Sequence, residues 1–155
     1  MMRFRLIIIV FMMMMMGNCL SGNDKMMISV FYKDRNPSQQ VLEKINHVLE
    51  ECKDTLQVTY YLIDDQSNSD VIADLGLPST HFPVAVVING KFTAKIDNKV
   101  ISFVHFPLFM KGIGRHEGNW SIDDLKEVLN DSSLLVEDNV LPVLEEETTS
   151  SGCDD

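Results

Sequence analysis

Positive charge, paired cysteine and a membrane-length apolar run are what this 155-residue chain has least of. Thirteen Lys and Arg stand against 23 Asp and Glu, for a formal net charge of −10. No basic stripe offsets the deficit. Residues 137–155 carry Glu137, Asp138, Glu145, Glu146, Glu147, Asp154 and Asp155 with no Lys or Arg. Such a surface repels phosphate backbones, which argues against nucleic-acid binding. The three cysteines, Cys19, Cys52 and Cys153, are widely separated, and nothing in the pattern places Cys52 near Cys153 for a disulfide. The uninterrupted apolar run at residues 6–16 is eleven residues long. A helix needs about 20 to cross a bilayer. No internal repeat is visible. The length and the 45% apolar content suit one domain with a sizeable core.

What is present divides the chain into three: 1–25, 26–131 and 132–155. Arg3 and Arg5 followed by the apolar run read as an export segment, to be set aside before the fold is considered. The run ends in Met16-Gly17-Asn18-Cys19, which resembles a bacterial lipobox, although Asn18 and Met16 replace the residues usual there. That resemblance implies lipidation at Cys19 and a cell-envelope location. Ordinary cleavage at the small-x-small pattern Cys19-Leu20-Ser21, with secretion, is the alternative, and an uncleaved anchor is a third. Residues 132–155 form an acidic tail whose composition from Glu145 onward is that of a disordered segment.

Between these ends, Met26-Met27-Ile28-Ser29-Val30-Phe31-Tyr32 has the β-branched and aromatic run of a strand buried on both faces. Asn36-Pro37 can start a helix, Asn as cap and Pro at the first helical position. Val41, Leu42, Ile45, Val48, Leu49 and Cys52 then recur at helical spacing. Residues 56–63 read as a second strand, parallel to the first through a right-handed crossover. Ser69 is placed to cap a short helix through Leu75, which Gly76 ends. Residues 84–88 form an apolar strand, turned by Asn89-Gly90 into residues 91–96, the strongest short hairpin signal in the chain. Asp97-Asn98 turns it again into residues 99–104. Residues 105–119 show no periodicity. Ser121 then caps a last helix with Ile122, Leu125, Val128 and Leu129 on its buried stripe.

This order, with Phe31-Tyr32 before the first helix and Leu75-Gly76-Leu77-Pro78-Ser79-Thr80-His81-Phe82-Pro83-Val84 before the third strand, resembles the thioredoxin and glutaredoxin superfamily over about residues 26–131. The resemblance implies an α/β fold: a three-layer α/β/α sandwich with a mixed central sheet and a C-terminal helix. It also implies that Pro83 follows a cis peptide bond and that Phe82 offers its backbone to an extended peptide. Where that superfamily carries Cys-x-x-Cys, this chain has Asn36-Pro37-Ser38-Gln39. The thiolate is the nucleophile of dithiol chemistry, and neither amide replaces it.

The expected site gathers Asn36, Gln39, His81, Phe82, Pro83, Arg115, His116 and Trp120. It holds a peptide, protein or small ligand outside the cytoplasm, needs no cofactor, and meets the membrane only through a lipid anchor. Lys111, Arg115 and His116 place three potential cations in the 105–119 segment, suited to a carboxylate or another anion. Two alternatives remain. One is thiol-disulfide or peroxide chemistry on a single thiol, Cys52 or Cys153. The other is copper carriage through His81, His105 and His116 with Met110, against which no pair has the close spacing of a local metal motif.

Overall fold

The computed structural model describes residues 25–78, 82–106, 108–110, 114–116 and 118–142, with 108–110 and 114–116 described as backbone. Residues 1–24 of the export segment, His81, Lys111 and Cys153 lie outside these residues.

Strand β1 (Met26–Tyr32) leads into helix α1 (Asn36–Glu51), and the chain returns as β2 (Leu56–Leu62), parallel to β1 with Met26 opposite Leu56 and Tyr32 opposite Leu62. The α1 stripe reads as expected: Val41, Leu42, Ile45, Val48 and Leu49 are buried. Its start differs. Arg35 is the cap residue, in extended conformation and without a side-chain cap bond, and Asn36 is already helical. The Asn36 side chain instead accepts from Gln40 Nε2 at 3.4 Å, and Asp34 accepts from Gln39 Nε2 at 2.9 Å. A missing cap costs about 1 kcal/mol. Five buried apolar side chains, each worth about 1.5–3 kcal/mol on burial, outweigh that easily.

After β2, Asp65 accepts from the Ser67 backbone N–H at 2.9 Å and starts a 3₁₀ turn (Gln66–Asn68) that runs into α2 (Ser69–Asp74). Ser69 is therefore not the cap; its hydroxyl donates to the Gln66 carbonyl at 2.8 Å. The short side chain of Asp65, four residues before Ser69, captures the backbone first, which moves the helical start upstream. Gly76 ends α2 as expected, at φ +68°, with its own N–H on Ala73 O and the Leu77 N–H on Ile72 O. This is a Schellman close, and the left-handed φ is what requires glycine there.

Strand β3 (Val84–Ile88) lies antiparallel to β1 and is buried throughout. The sheet order is β2-β1-β3, a mixed sheet with β1 at its centre. Asn89 (φ +50°) and Gly90 (φ +79°) make a two-residue turn closed by paired bonds between Ile88 and Lys91. A second such turn, Asp97 (φ +47°) and Asn98 (φ +66°), joins β4 (Thr93–Ile96) to β5 (Lys99–Ser102). Both are type I′ geometry, whose twist suits antiparallel strands. The expected strands 91–96 and 99–104 are each shortened. Only one partner can take the outer edge of β3, and beyond Lys91 that place goes to Phe103 and Val104: Val86 N–H donates to Phe103 O at 2.9 Å, and Ala85 bridges Val104.

The segment 105–119, read as a loop, contains a β-hairpin: β6 (Leu108–Met110) pairs antiparallel with β7 (Gly114–His116), Phe109 opposite Arg115. Three-residue strands are too short to show a two-residue alternation. The last helix, α3 (Ile122–Asn130), has a capping box in which Ser121 and Asp124 satisfy each other's backbone, and it buries Leu125, Val128 and Leu129. It packs against α1, with Lys126 3.9 Å from Glu51. No helix among the described residues is long and apolar enough to cross a membrane.

The chain does not leave the domain at Asp131. A 3₁₀ turn (Ser132–Leu134) precedes a strap along β4: Leu135 bridges Ala94, Val136 N–H donates to Thr93 O, and Asn139 Oδ1 accepts from Phe92 N–H at 2.7 Å. Thr93, fully buried, exchanges hydrogen bonds with the Val140 backbone through its hydroxyl. The β-α-β unit, the antiparallel third strand and the C-terminal helix against α1 make the fold thioredoxin-like, α/β with a mixed sheet.

Candidate functional site

The candidate site lies at the end of the sheet where β1 runs into α1. The Lys33 N–H donates to the Pro83 carbonyl at 3.2 Å, which holds the loop before β3 against the entrance to the helix. This bond brings Asn36 and Gln39, both exposed, to the same pole as Phe82 and Pro83. Ser38, between the two amides, turns inward and is buried. The first turn of α1 has free backbone N–H groups and no side chain capping them. Such groups carry partial positive charge.

Two expectations are corrected here. No cis peptide bond occurs among the described residues, so Phe82–Pro83 is trans, where the resemblance implies cis. Trans is the lower-energy form of an X-Pro bond by about 0.5–1 kcal/mol. Trp120 is not a ligand-facing aromatic: it is 2% exposed. Its ring meets Phe103 edge-on at 5.2 Å and Phe106 at 4.8 Å. A large indole buries more apolar area than any other side chain, and Phe103 and Phe106 hold it in the core.

Phe82 is fully buried as well, so its side chain is structural, and any contact with a ligand would have to run through its backbone. Its ring sits edge-on to His105 at 6.4 Å. His105 is itself buried at φ +60°, the point where the chain leaves the sheet for the β6–β7 hairpin. The inserted hairpin is thus rooted on the proline loop. Arg115 and His116 lie on β7, their side chains outside the description. Asn119 closes the root, donating to Val100 O at 3.1 Å and accepting from the Ser102 N–H at 2.9 Å.

Lys33 and Arg35, which belong to no motif in the sequence, flank the entrance to α1 and both approach Asp64, at 3.8 and 3.9 Å. Their signal was their place, directly between a strand and an uncapped helix. Cys52 stands at the C-cap of α1, half-buried against the core. A 16-residue helix is about 24 Å long. That length separates the Cys52 thiol from the pole where Asn36 and Gln39 stand. Among the described residues, no three His, Cys, Asp or Glu side chains gather as a metal site would require.

No protein-family model and no curated protein sequence matches the chain. Among solved structures, it is similar to the solution structure of an uncharacterized thioredoxin-like protein from Clostridium perfringens, at 16% identity over 74% of each chain and a TM-score of 0.41.

Proposed function

We propose that this chain is an exported, lipid-tethered thioredoxin-like domain that binds an extended peptide or protein segment without redox chemistry. The binding pole is the uncapped start of α1 together with the proline loop and the root of the β6–β7 hairpin. One observation carries the reading. The Lys33–Pro83 hydrogen bond sets Asn36-Pro37-Ser38-Gln39 beside the proline loop, and the described thiol, Cys52, lies at the other end of the helix. The free N–H groups of α1, with Lys33 and Arg35 beside them, favour a ligand that presents a carboxylate or another acidic group.

The test is positional. A photo-crosslinking residue at Asn36 or Gln39 is expected to give a discrete adduct in the cell envelope, and the same residue at Lys44 or His47, exposed further along α1, is not. Equal adducts from both ends of the helix would reject the placement. Purified protein is expected to leave insulin disulfides unreduced, and Cys52→Ser to leave the Asn36 adduct unchanged. The tether is tested separately: a metabolic fatty-acid label enters the wild type and is lost in Cys19→Ser, whereas label retained in that variant would exclude lipidation at Cys19.

A further inference from the structure

Strand β2 is an edge. Among the described residues it pairs with β1 on one side and with nothing on the other. Natural edge strands are guarded by charge, proline, a bulge or short length. β2 has none of these: Leu56-Gln57-Val58-Thr59-Tyr60-Tyr61-Leu62 is seven residues long, regular in register, and free of charge and proline. In a chain of net charge −10, this stretch sets no charged side chain directly between two approaching copies.

The backbone directions follow from the hydrogen bonds at the ends. Thr55 O accepts from Met26 N–H, and Ile63 N–H donates to Tyr32 O, so odd-numbered residues face β1. By alternation, Leu56, Val58, Tyr60 and Leu62 turn their N–H and C=O groups outward. The order of side chains is self-complementary about Thr59. Antiparallel pairing of two copies with Thr59 opposite Thr59 sets Val58 against Tyr60 and Leu56 against Leu62. All four outward-facing residues then fall in hydrogen-bonded pairs, for about eight backbone bonds across the junction. Thr59 falls at the closely spaced non-hydrogen-bonded position, and Val58–Tyr60 is a favourable β-branched and aromatic pair. Helix α1 packs mainly over β1 and β3 and reaches β2 through Tyr60, whose hydroxyl donates to Asn46 Oδ1 at 2.9 Å while the residue stays 46% exposed. At each end Asp54 meets Asp64 of the second copy, and Lys33 and Arg35 already stand beside Asp64 to offset the repulsion.

We propose that β2 is a homodimer interface, joining two copies into one continuous six-stranded sheet about a two-fold axis at Thr59. The axis is perpendicular to the sheet, so the two binding poles lie at opposite ends of the assembly.

Sedimentation velocity on the full chain is expected to show a monomer–dimer equilibrium. Thr59→Lys, at an exposed position, puts like charges against each other on the axis and is expected to weaken the dimer by about tenfold or more, with an unchanged circular dichroism spectrum. In the oxidised protein, Thr59→Cys is expected to give a reducible dimer joined between the two copies of residue 59, since the pair geometry meets disulfide limits. Gln57→Cys, which faces Tyr61 of the second copy, is expected to give far less. A wild-type chain that stays monomeric into the millimolar range would overturn the proposal. So would a Gln57→Cys chain that crosslinks as readily as Thr59→Cys. Slow hydrogen exchange of the Val58 and Tyr60 amides in a monomer would assign the edge to residues of the same chain, with the same consequence.

Discussion

Among Gly76, Gly90 and Gly118, Gly118 is the glycine where an added methyl group meets other atoms. A Cβ there would lie 1.2 Å from the His105 carbonyl oxygen and 2.8 Å from the Phe106 carbonyl carbon, both backbone atoms that cannot swing aside. The two ends of the inserted hairpin cross at this point, beside a buried His105 held at φ +60°. Gly118→Ala is expected to destabilise the protein by at least about 2 kcal/mol. Thermal unfolding checks this, and a Tm within a degree of wild type would mean that the crossing is not this tight. None of this was legible in the sequence, where Gly118 is one glycine among eight. Trp120 gives the opposite lesson. Its type is equally at home in a ligand cleft and in a core, and the close packing of Phe103 and Phe106 decided for the core.

At the scale of elements, those specified by short-range chemistry were readable. The Ser121-x-x-Asp124 box, the Gly76 stop and the Asn89-Gly90 turn each satisfy their backbone within a few residues, so a local pattern is enough. Two turn-starting carboxylates use equally short-range chemistry, although the sequence pattern points to Ser69 rather than Asp65 and marks no turn at Asp131. Asp65 and Asp131 each accept from a serine two residues on, through its backbone N–H and hydroxyl, and both titrate below their ordinary value of 3.8 for that reason. A depressed folded-state value means that the unfolded chain binds protons first as pH falls. Their contribution is therefore complete above the ordinary value and is lost as pH drops through the lower folded one. Asp65→Asn with Asp131→Asn, which keeps an acceptor oxygen and removes the titration, is expected to flatten the fall in Tm between about pH 5 and pH 2. An unchanged slope would show that other carboxylates set the acid limit. The strands beyond β3 were less readable, because the choice between residues 91–96 and 103–104 for its outer edge is a competition between segments distant in sequence.

Across the whole molecule, the strap from Leu135 to Val140 closes β4 with backbone and side-chain bonds: Val136 to Thr93, Asn139 to Phe92 and Gly90, and Thr93 to Val140, with Lys91 2.7 Å from Glu137 on its rim. At about 0.5–1.5 kcal/mol net for each bond, truncation after Leu134 is expected to cost on the order of 3 kcal/mol and to uncover the β4 edge. Truncation after Pro142 keeps every one of these contacts and is expected to leave Tm unchanged. Chemical denaturation of the two shortened chains separates the cases, and equal midpoints would show the strap to be idle. Composition alone groups this stretch with the acidic tail. Its anchoring rests on Thr93 and Asn139, two uncharged side chains with no periodic signal.

Local order along the chain suffices for the β-α-β beginning, the paired turns, the last helix, the absence of thiols at the start of α1 and the place of Cys52 at its far end. Each of these depends on residues near one another along the chain or on the plain identity of a side chain. Only the folded whole settles that Trp120 and Phe82 are core, that residues 135–140 strap β4, and that no strand among the described residues pairs with the outer edge of β2. Those outcomes turn on which distant segments win a shared surface or a free strand edge. Burial and hydrogen-bond pairing settle that contest only when the whole chain is folded.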